Sequence, residues 1–413
     1  MRILYLVHQF LPEFAGGTEK VTLNLAHAAQ SEGHHVEVFT TSHRPGPPWR
    51  EAAGLRTCLV QGVPVHALPH QDGRPLDDLG FRPIDGLRQS FERFLDSRPR
   101  FDVVHVMHAL RLADAVELLR DRRAGYVVTL TDFHLICHRI NLIRLDGSLC
   151  EGPAGGRNCQ LHCWSPEIGE REFAGRIERL GSLLRGASAV VAVSPYVAER
   201  FAAEHPDLQI RVVGNGVDLL SFPRPKARTA DGPLTFGYLG TVSEAKGAGL
   251  IARAFAQAAR PDARLRIVGP CYEPELAARI AAEAGGAQIS VEPAVPAADV
   301  PRLLQEFDVL CVPSQVPESY SLALHEGFAA GLPALVSDLG NAGRVVREHG
   351  CGAALPATDA AAWAEAIARL CDDRARLAAW RDKIPLPPRV EEEGFIYTQL
   401  YRAVVASRRT AAA

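Results

Sequence analysis

The sequence predicts an α/β protein made of two doubly wound, Rossmann-like domains that face each other across a cleft. Runs of four to eight apolar residues alternate with helical patterns, as where RILYLV precedes VTLNLAHAAQ, and such strands are typical of parallel sheets covered on both faces. The alternation restarts after a proline-rich, charged stretch at 221–233, which we interpret as a linker. The length of 413 residues also exceeds what one hydrophobic core supports.

The two predicted domains follow one another along the chain. The first covers residues 1–220, with strands in RILYLV, HVEVFT, DVVHVM, YVVTLT and AVVAVS. The second covers 221–388, with strands in LTFGYLG, RLRIVG, DVLCVP and PALVSD and helices such as GLIARAFAQAA between them. Residues 389–413 have helical spacing at Phe395 and Val404 and are predicted to cross back onto the first domain.

The composition excludes several classes of protein. A formal net charge of −3 lacks the basic excess of nucleic-acid-binding proteins, so no nucleic-acid partner is expected. No stretch approaches the ~18 uncharged apolar residues of a membrane-spanning helix, and MRILYLVHQF lacks the cleavage site of a signal peptide. Nine cysteines are too few and too uneven for a disulfide scaffold. We therefore expect a cytoplasmic protein.

One stretch suggests peripheral contact with the inner membrane face. GRIERLGSLLRGAS, at 175–188, is amphipathic and carries arginines that can attract anionic lipid. Packing of the same helix against the first sheet is the alternative.

The stretch PESYSLALHEG, at 317–327, carries the main functional signal. Glu318 and Glu326 flank a run that we place at a strand-to-helix turn, where free backbone amides and the helix dipole attract anions. Eight helical residues span ~12 Å, so the two carboxylates can hold the sugar and ribose hydroxyls of a nucleoside diphosphate sugar. In the alternative interpretation Glu318 caps the helix and Glu326 lies on its solvated face. The amides expected to face the diphosphate are those of Ser319, Tyr320, Ser321 and Leu322.

The surrounding residues VPSQVPESYSLALHEGFAAGLPALVSD resemble the signature of the retaining nucleotide-sugar glycosyltransferases of family four, which have the GT-B fold. The resemblance implies that Glu326 binds the ribose hydroxyls and that Glu318 lies beside the transferred sugar. LTFGYLGTVSEAKG is similar to the first strand and loop of the family's donor domain, with Lys246 at the position of the diphosphate-binding lysine. Gly240 and Thr241 belong to the same loop, and Thr241 stands where the family commonly has arginine.

The first domain shows a similar resemblance. FLPEFAGGTEKVTLNLAHAAQ is similar to the family's opening glycine loop and helix, which places Gly16, Gly17 and His8 on the acceptor side. Glycines at this point let the backbone approach a ligand closely, and an ordinary turn is the alternative.

A second acceptor-side segment departs from the family pattern. YVVTLTDFHLIC aligns with a segment in which many relatives carry histidine followed by aspartate; here Thr131 replaces the histidine and Asp132 remains. Asp132 and His134 are candidates for contact with the acceptor or the sugar. A packed histidine is the alternative for His134, and also for His105 and His108 in DVVHVMH.

Four cysteines cluster in an insertion at about 137–163, which has too few apolar residues to form a core of its own. Four thiolates suit a structural zinc ion, although the spacings do not form two tight Cys-x2-Cys knuckles. Two disulfides or four free thiols are the alternatives. The predicted zinc ligands are Cys137, Cys150, Cys159 and Cys163.

The predicted function is transfer of a sugar from a UDP, GDP, ADP or TDP sugar to an acceptor hydroxyl, with retention of configuration. Glu318, Asp132 and Lys246 are the predicted catalytic residues. The acceptor classes are sugars or polysaccharides, lipid-linked sugars and small molecules. No cofactor is required for catalysis, because lysine and helix amides can carry the diphosphate charge. The alternatives are a sugar-nucleotide epimerase or sugar phosphorylase of the same architecture and a non-catalytic sugar-nucleotide-binding protein.

Overall fold

The computed structural model describes residues 1–44, 46–70, 75–166, 168–223 and 232–412. Most of the linker predicted at 221–233 therefore lies outside the described residues. The chain divides into two compact units. Unit 1 consists of Met1–Gly216 with Val390–Ala413, and unit 2 is Val217–Arg389.

Unit 1 is built on a sheet whose described strands run in the order β3-β4-β5-β2-β1-β6-β7-β8-β9. Their bounds are β1 Arg2–Leu6, β2 His35–Ser42, β3 Arg50–Ala52, β4 Leu55–Val60, β5 Val63–Pro69, β6 Val103–Val106, β7 Tyr126–Leu130, β8 Ala189–Ala192 and β9 Ile210–Val212. β4 pairs antiparallel with both β3 and β5, and the other neighbouring pairs are parallel. The helices are α1 Gly17–Ser31, α2 Pro75–Asp78, α3 Leu87–Asp96, α4 Ala113–Asp121, α5 Arg157–Cys163, α6 Glu170–Arg185 and α7 Pro195–Glu204.

Unit 2 has a parallel sheet in the order β12-β11-β10-β13-β14-β15. The strands are β10 Leu234–Leu239, β11 Ala263–Val268, β12 Ile289–Glu292, β13 Val309–Val312, β14 Ala334–Ser337 and β15 Gly352–Leu355. The helices are α8 Ala248–Ala258, α9 Pro274–Glu283, α10 Val300–Leu304, α11 Leu322–Ala329, α12 Gly340–His349, α13 Ala360–Asp372 and α14 Ala375–Arg381, and short 3-10 turns lie at Leu219–Ser221 and Ala297–Asp299.

Both faces of the unit 2 sheet are covered. In β13, Val309 and Cys311 belong to one apolar cluster and Leu310 to the other, because successive side chains of a strand point to opposite faces. This arrangement explains why the strands of unit 2 are continuous apolar runs in the sequence. The predicted fold class, two Rossmann-like domains with parallel sheets, is confirmed.

The last helix, α15 Val390–Ala412, packs in unit 1 against α1. The hydroxyl of Tyr401 in this helix is hydrogen-bonded to His105 Nδ1 at 2.6 Å. The hydroxyl of Thr129 in β7 is hydrogen-bonded to His105 Nε2 at 2.7 Å. Burial lowers the pKa of His105 to about 3, so its ring is neutral and belongs to the core rather than to a site. Phe395, expected on the packing face of this helix, is instead 59% exposed.

Helix α6 contains most of the amphipathic stretch for which lipid contact was considered. Its apolar side chains Ile177, Leu180, Leu183 and Leu184 are buried inside unit 1. This burial corresponds to the alternative in which the helix packs against the sheet. In the described ranges, no helix combines the length and apolar character needed to cross a membrane.

Candidate functional site

Unit 2 has a point where the direction of strand order reverses. β11 and β12 lie on one side of β10, and β13 to β15 lie on the other. In doubly wound sheets, ligands bind at the carboxyl ends of the strands beside such a point. The loop after β10 carries Lys246, and the loop after β13 carries Glu318. The chain topology therefore brings these two predicted donor-binding residues to one edge of the sheet.

The two loops are held together by their backbones. The amide of Gln315 donates to the carbonyl of Ala245 at 2.9 Å. Gly247 has φ 76°, and a Cβ added there would lie 1.9 Å from the carbonyl oxygen of Pro313. Only glycine permits this close approach and this left-handed backbone at the same time.

Lys246 and Glu318 form an ion pair, with 2.8 Å between Nζ and Oε1. The lysine side chain is 45% exposed and the glutamate side chain 11%, so the ammonium group lies toward solvent and covers a largely buried carboxylate. Tyr238 of β10 lies close enough for the charge of Glu318, together with burial, to raise its pKa. The Tyr238 hydroxyl donates to the carbonyl of Thr241 at 2.5 Å and so anchors the loop that follows Gly240.

Helix α11 begins later than the sequence suggested. Ser321 at its N-cap has φ 70° and ψ 86°, and the helix starts at Leu322, four residues after Glu318. The prediction of eight helical residues between the two glutamates is therefore wrong, since only the second half of the interval is helical. Ser321 makes no side-chain capping bond in the described structure, so the first-turn amides of α11 are not occupied by that hydroxyl.

Glu326 is 9% exposed, so it does not lie on the solvated helix face of the alternative interpretation. Its helix α11 packs closely on β13, where a Cβ added at Gly327 would lie 2.6 Å from a methyl group of Leu310. Glu318 does not cap the helix, because Ser321 occupies that position.

Glu318 is also fixed through its backbone by the start of α12, a contact that sequence reasoning missed. Glu318 and Gly340 form an isolated parallel bridge, and the amide of Asn341 donates to the carbonyl of Glu318 at 2.7 Å. Gly340 has φ 69°, and a Cβ there would lie 2.4 Å from the nitrogen of Glu318. The signal in the sequence is a glycine directly after a predicted strand.

We expect Gly340→Ala to destabilise unit 2 and to weaken donor binding, because the new methyl group would collide with the backbone of Glu318. Gly350→Ala is the matched control at the other end of α12: it has a similar φ of 64°, but its Cβ would meet only the side chain of Lys383. The left-handed backbone alone costs ~1–3 kcal/mol, so both variants should unfold at lower denaturant concentration. Only Gly340→Ala should also lose affinity for a nucleotide sugar in calorimetry; equal affinities would contradict this role.

Unit 1 has a corresponding reversal between β1 and β6. His8 follows β1, His108 follows β6, and Asp132 follows β7, so three adjacent carboxyl ends carry polar groups. The rings of His8 and His108 lie 4.0 Å apart between centroids. His108 Nε2 lies 2.6 Å from Asp132 Oδ2. His108, Asp132, Thr131 and His134 line part of a small recess, together with apolar residues such as Met107 and Leu135.

Two other predicted acceptor-side residues, His134 and His8, are buried, and Thr131 is partly exposed. His134 is 2% exposed and its amide donates to Asp132 Oδ1 at 2.8 Å. Burial and the neighbouring guanidinium of Arg176 hold the pKa of His134 well below its usual range. The pKa of His8 is also lowered, chiefly by burial. The hydroxyl of Thr131 donates to the carbonyl of Met107 at 3.3 Å.

The glycine loop of unit 1 contains a further acidic residue that was missed. Gly16 is the N-cap of α1 and Gly17 is its first residue. A Cβ added at Gly16 would lie 2.5 Å from a carboxylate oxygen of Glu19, so this glycine makes room for Glu19. Glu19 is 2% exposed, and burial raises its pKa. Its signal in the sequence is an acidic residue in the first turn after two glycines.

The structure does not support the predicted zinc site. All four cysteines of the insertion are buried free thiols, and burial raises the pKa of Cys159 to about 12. No group of three or more His, Cys, Asp or Glu residues within the described part of the chain is placed to hold a metal ion. The insertion obtains its core from its surroundings: Cys159 packs with Ile168 and Phe173, against Leu76 and Phe81. Shared apolar packing therefore replaces the metal staple that we expected.

Comparisons with known proteins agree with this two-part architecture. Residues 16–216 match the family described as Glycosyl transferase 4-like domain, and residues 221–385 match the family Glycosyl transferases group 1. D-inositol 3-phosphate glycosyltransferase 1 of Catenulispora acidiphila is 26% identical over 384 residues, which cover 89% of this chain and 85% of that protein. D-inositol 3-phosphate glycosyltransferase of Nocardia farcinica is 28% identical over 386 residues, which cover 88% and 78%.

Solved structures show the same fold over nearly the whole chain. Sucrose-phosphate synthase from Thermosynechococcus elongatus has a TM-score of 0.70 at 20% identity, covering 98% of this chain and 100% of that one. HepE of Anabaena, in complex with UDP and glucose, has a TM-score of 0.69 at 17% identity, covering 96% and 98%. The solved structures show the GT-B fold, and the two family matches show a glycosyltransferase. Its second domain matches the group 1 glycosyltransferases over residues 221–385, and its first domain matches the 4-like type over residues 16–216.

Proposed function

We propose that the protein transfers a sugar from a nucleoside diphosphate sugar to an acceptor hydroxyl with retention of anomeric configuration. The bond between the anomeric carbon and the diphosphate oxygen breaks, and the acceptor oxygen bonds to the same face of that carbon. The departing diphosphate takes the acceptor proton. The observation that carries this proposal is the Lys246–Glu318 ion pair at the strand-order reversal of unit 2.

We assign binding of the nucleotide-sugar donor to unit 2. The ammonium of Lys246 can exchange its contact with Glu318 for the diphosphate, which leaves the carboxylate to accept hydrogen bonds from the sugar. The amides of Ser319 to Leu322, which lead into α11, are assigned to the phosphates, beside the positive N-terminal end of that helix. Glu326, held in a buried position on α11, is assigned the ribose hydroxyls. These groups compensate the diphosphate charge without a cofactor.

Unit 1 is assigned the acceptor, with Asp132 as the main hydrogen-bond acceptor for its hydroxyl groups. The side chain of Asp132 is 29% exposed, so its carboxylate can accept hydrogen bonds from a ligand that carries several hydroxyls. The relatives named D-inositol 3-phosphate glycosyltransferase support a polyol of this kind. We assign three further residues of unit 1 to the acceptor side: His8, which follows β1, and Gly16 and Gly17, at the start of α1.

A panel of nucleotide sugars tests the proposal. UDP-glucose, GDP-mannose, ADP-glucose and TDP-glucose are added separately, and thermal unfolding is followed. A donor present at ~100 times its Kd stabilises the protein by ~2.7 kcal/mol, so the correct donor should raise Tm by several degrees. The labelled form of that donor is then incubated with D-inositol 3-phosphate and with simple sugars.

The products separate the candidate functions. A transferase gives an acceptor-dependent glycoside, and NMR of its anomeric proton reads the configuration. Interconversion of donor sugars would indicate an epimerase, and binding without turnover would indicate a sugar-nucleotide-binding protein. A Tm unchanged by every donor would refute the proposal.

A further inference from the structure

We propose that His108 is a positioning residue that orients Asp132 toward the acceptor. His108 belongs to the segment that follows β6, the strand next to β7. This inference rests on the proposed function, because Asp132 is the residue assigned to the acceptor. It differs from the sequence interpretation, in which His108 was either a contact for the acceptor or the sugar or a packed histidine.

The hydrogen bonds of His108 define which ring nitrogen carries the proton. The amide of Leu110 donates to Nδ1 at 3.1 Å, so Nδ1 acts as an acceptor. A neutral imidazole with Nδ1 as acceptor carries its hydrogen on Nε2. Nε2 therefore donates to Asp132 Oδ2, at 2.6 Å. The backbone of the loop that follows β6 thus selects the tautomer that can hold the carboxylate.

The ring of His108 carries its hydrogen on Nε2 and is also held in place by its neighbours. Its side chain is 4% exposed. The ring of His8 lies 4.0 Å from it, and the ring of His134 lies 5.4 Å from it in a stacked arrangement with 27° between the planes. A ring enclosed in this way cannot rotate without displacing its neighbours, because packed interiors leave few voids.

Asp132 receives a second hydrogen bond from the other direction. The amide of His134 donates to Oδ1 at 2.8 Å, so each carboxylate oxygen has one fixed donor. Each oxygen retains another lone pair, and the side chain is 29% exposed. The carboxylate is therefore held in one orientation and still has capacity to accept from a ligand hydroxyl. The hydroxyl of Thr131 donates to the carbonyl of Met107.

Two amide variants separate the two functions of the ring. His108→Gln places an amide nitrogen near the position of Nε2 and keeps a donor for Asp132. His108→Asn places an amide oxygen near the position of Nδ1 and keeps the acceptor for Leu110, but it is too short to reach Asp132. Both variants introduce a neutral amide at the same buried position, so they form a matched pair.

We expect His108→Gln to stay within a few-fold of the wild-type kcat/KM for the acceptor, and His108→Asn to lose about 10²-fold, the effect of misplacing a group by ~1 Å. Donor affinity, measured by calorimetry with UDP or with the nucleotide that the panel selects, should be unchanged in both. Asp132→Asn combined with His108→Asn should lose no more than Asp132→Asn alone, because the histidine acts through the carboxylate.

Each outcome decides a specific point. Equal acceptor kinetics for the Gln and Asn variants in an active enzyme would overturn this inference and leave the proposed function intact. Additive losses in the double variant would overturn it as well. A wild-type protein that neither binds nor turns over any donor would overturn the proposed function, and the inference with it. Thermal unfolding of each variant confirms that it is folded before the kinetics are compared.

Discussion

Replacing Lys246 with methionine is expected to lower the rate of sugar transfer by ~10²–10³-fold, the loss typical of removing one group that stabilises developing charge. The ammonium group lies 2.8 Å from Glu318 and is 45% exposed, so it is available to a diphosphate that enters from solvent. Methionine keeps the length of the side chain and removes its charge. Initial rates with the labelled donor measure the effect, and Lys246→Arg should recover part of the activity because it restores the charge.

Lys383→Met provides the control for this variant. Lys383 is an exposed lysine of the same unit, and its side chain lies near Gly350, just before β15 and therefore at the amino ends of the strands. Lys383→Met changes the net charge of the protein by the same amount as Lys246→Met, but it leaves the charge at the proposed diphosphate site unchanged. The rate of sugar transfer should therefore be unaffected. Similar losses in both variants would show that Lys246 acts through the overall charge of unit 2 and not at the diphosphate.

Raising the pH from 5 to 9 is expected to destabilise unit 1 through Glu393. This glutamate of α15 is buried, its Oε2 accepts from the amide of Gly216 at 2.8 Å, and burial raises its pKa to about 8. In the unfolded chain a glutamate titrates near ~4.3. Between these values the folded protein holds a proton that the unfolded chain has released, so the free energy of unfolding falls as pH rises. The full loss, reached above pH ~8, is about 5 kcal/mol.

Glu393→Gln isolates this contribution. The glutamine can still accept from Gly216 and carries no charge, so the stability of this variant relative to wild type should increase from pH 5 to about pH 8 and then level off. Comparison with wild type at each pH cancels the opposite effect of buried histidines such as His105, whose lowered pKa makes the protein less stable below pH ~6.5. Urea unfolding measures the difference. A constant difference between Glu393→Gln and wild type across this pH range would contradict the prediction.

The sequence predicted the central strands well because they are buried on both faces. β1, β7 and β13 are nearly continuous apolar runs, and such runs differ sharply from helical patterns. The edge strands gave weaker signals. β4, next to the edge strand β3, is buried only at its first and last residues, and the edge strands β12 and β15 contain no fully buried residue, so these patterns do not separate a strand from a loop. The antiparallel addition of β3 and β4 was missed for this reason.

The candidate site was predictable only where a motif marked it. Glu318 and Lys246 lie 72 positions apart, and their contact follows from the placement of β13 beside β10, which one sequence does not reveal. Gly340 and Glu19 were missed because a single glycine or acidic residue carries no distinctive pattern. The partnership of His108 with Asp132 likewise depends on β6 and β7 being neighbours.

Unit 1 is discontinuous in sequence, and this has a consequence during protein synthesis. Tyr397 and Tyr401 of α15 supply hydroxyl partners to Thr129 and His105, which are translated more than two hundred residues earlier. While the ribosome makes the segment between them, the nascent first domain lacks its last layer of packing. Unit 2 has no such dependence, since its residues are consecutive, so we expect it to reach its native state first even though it is made second.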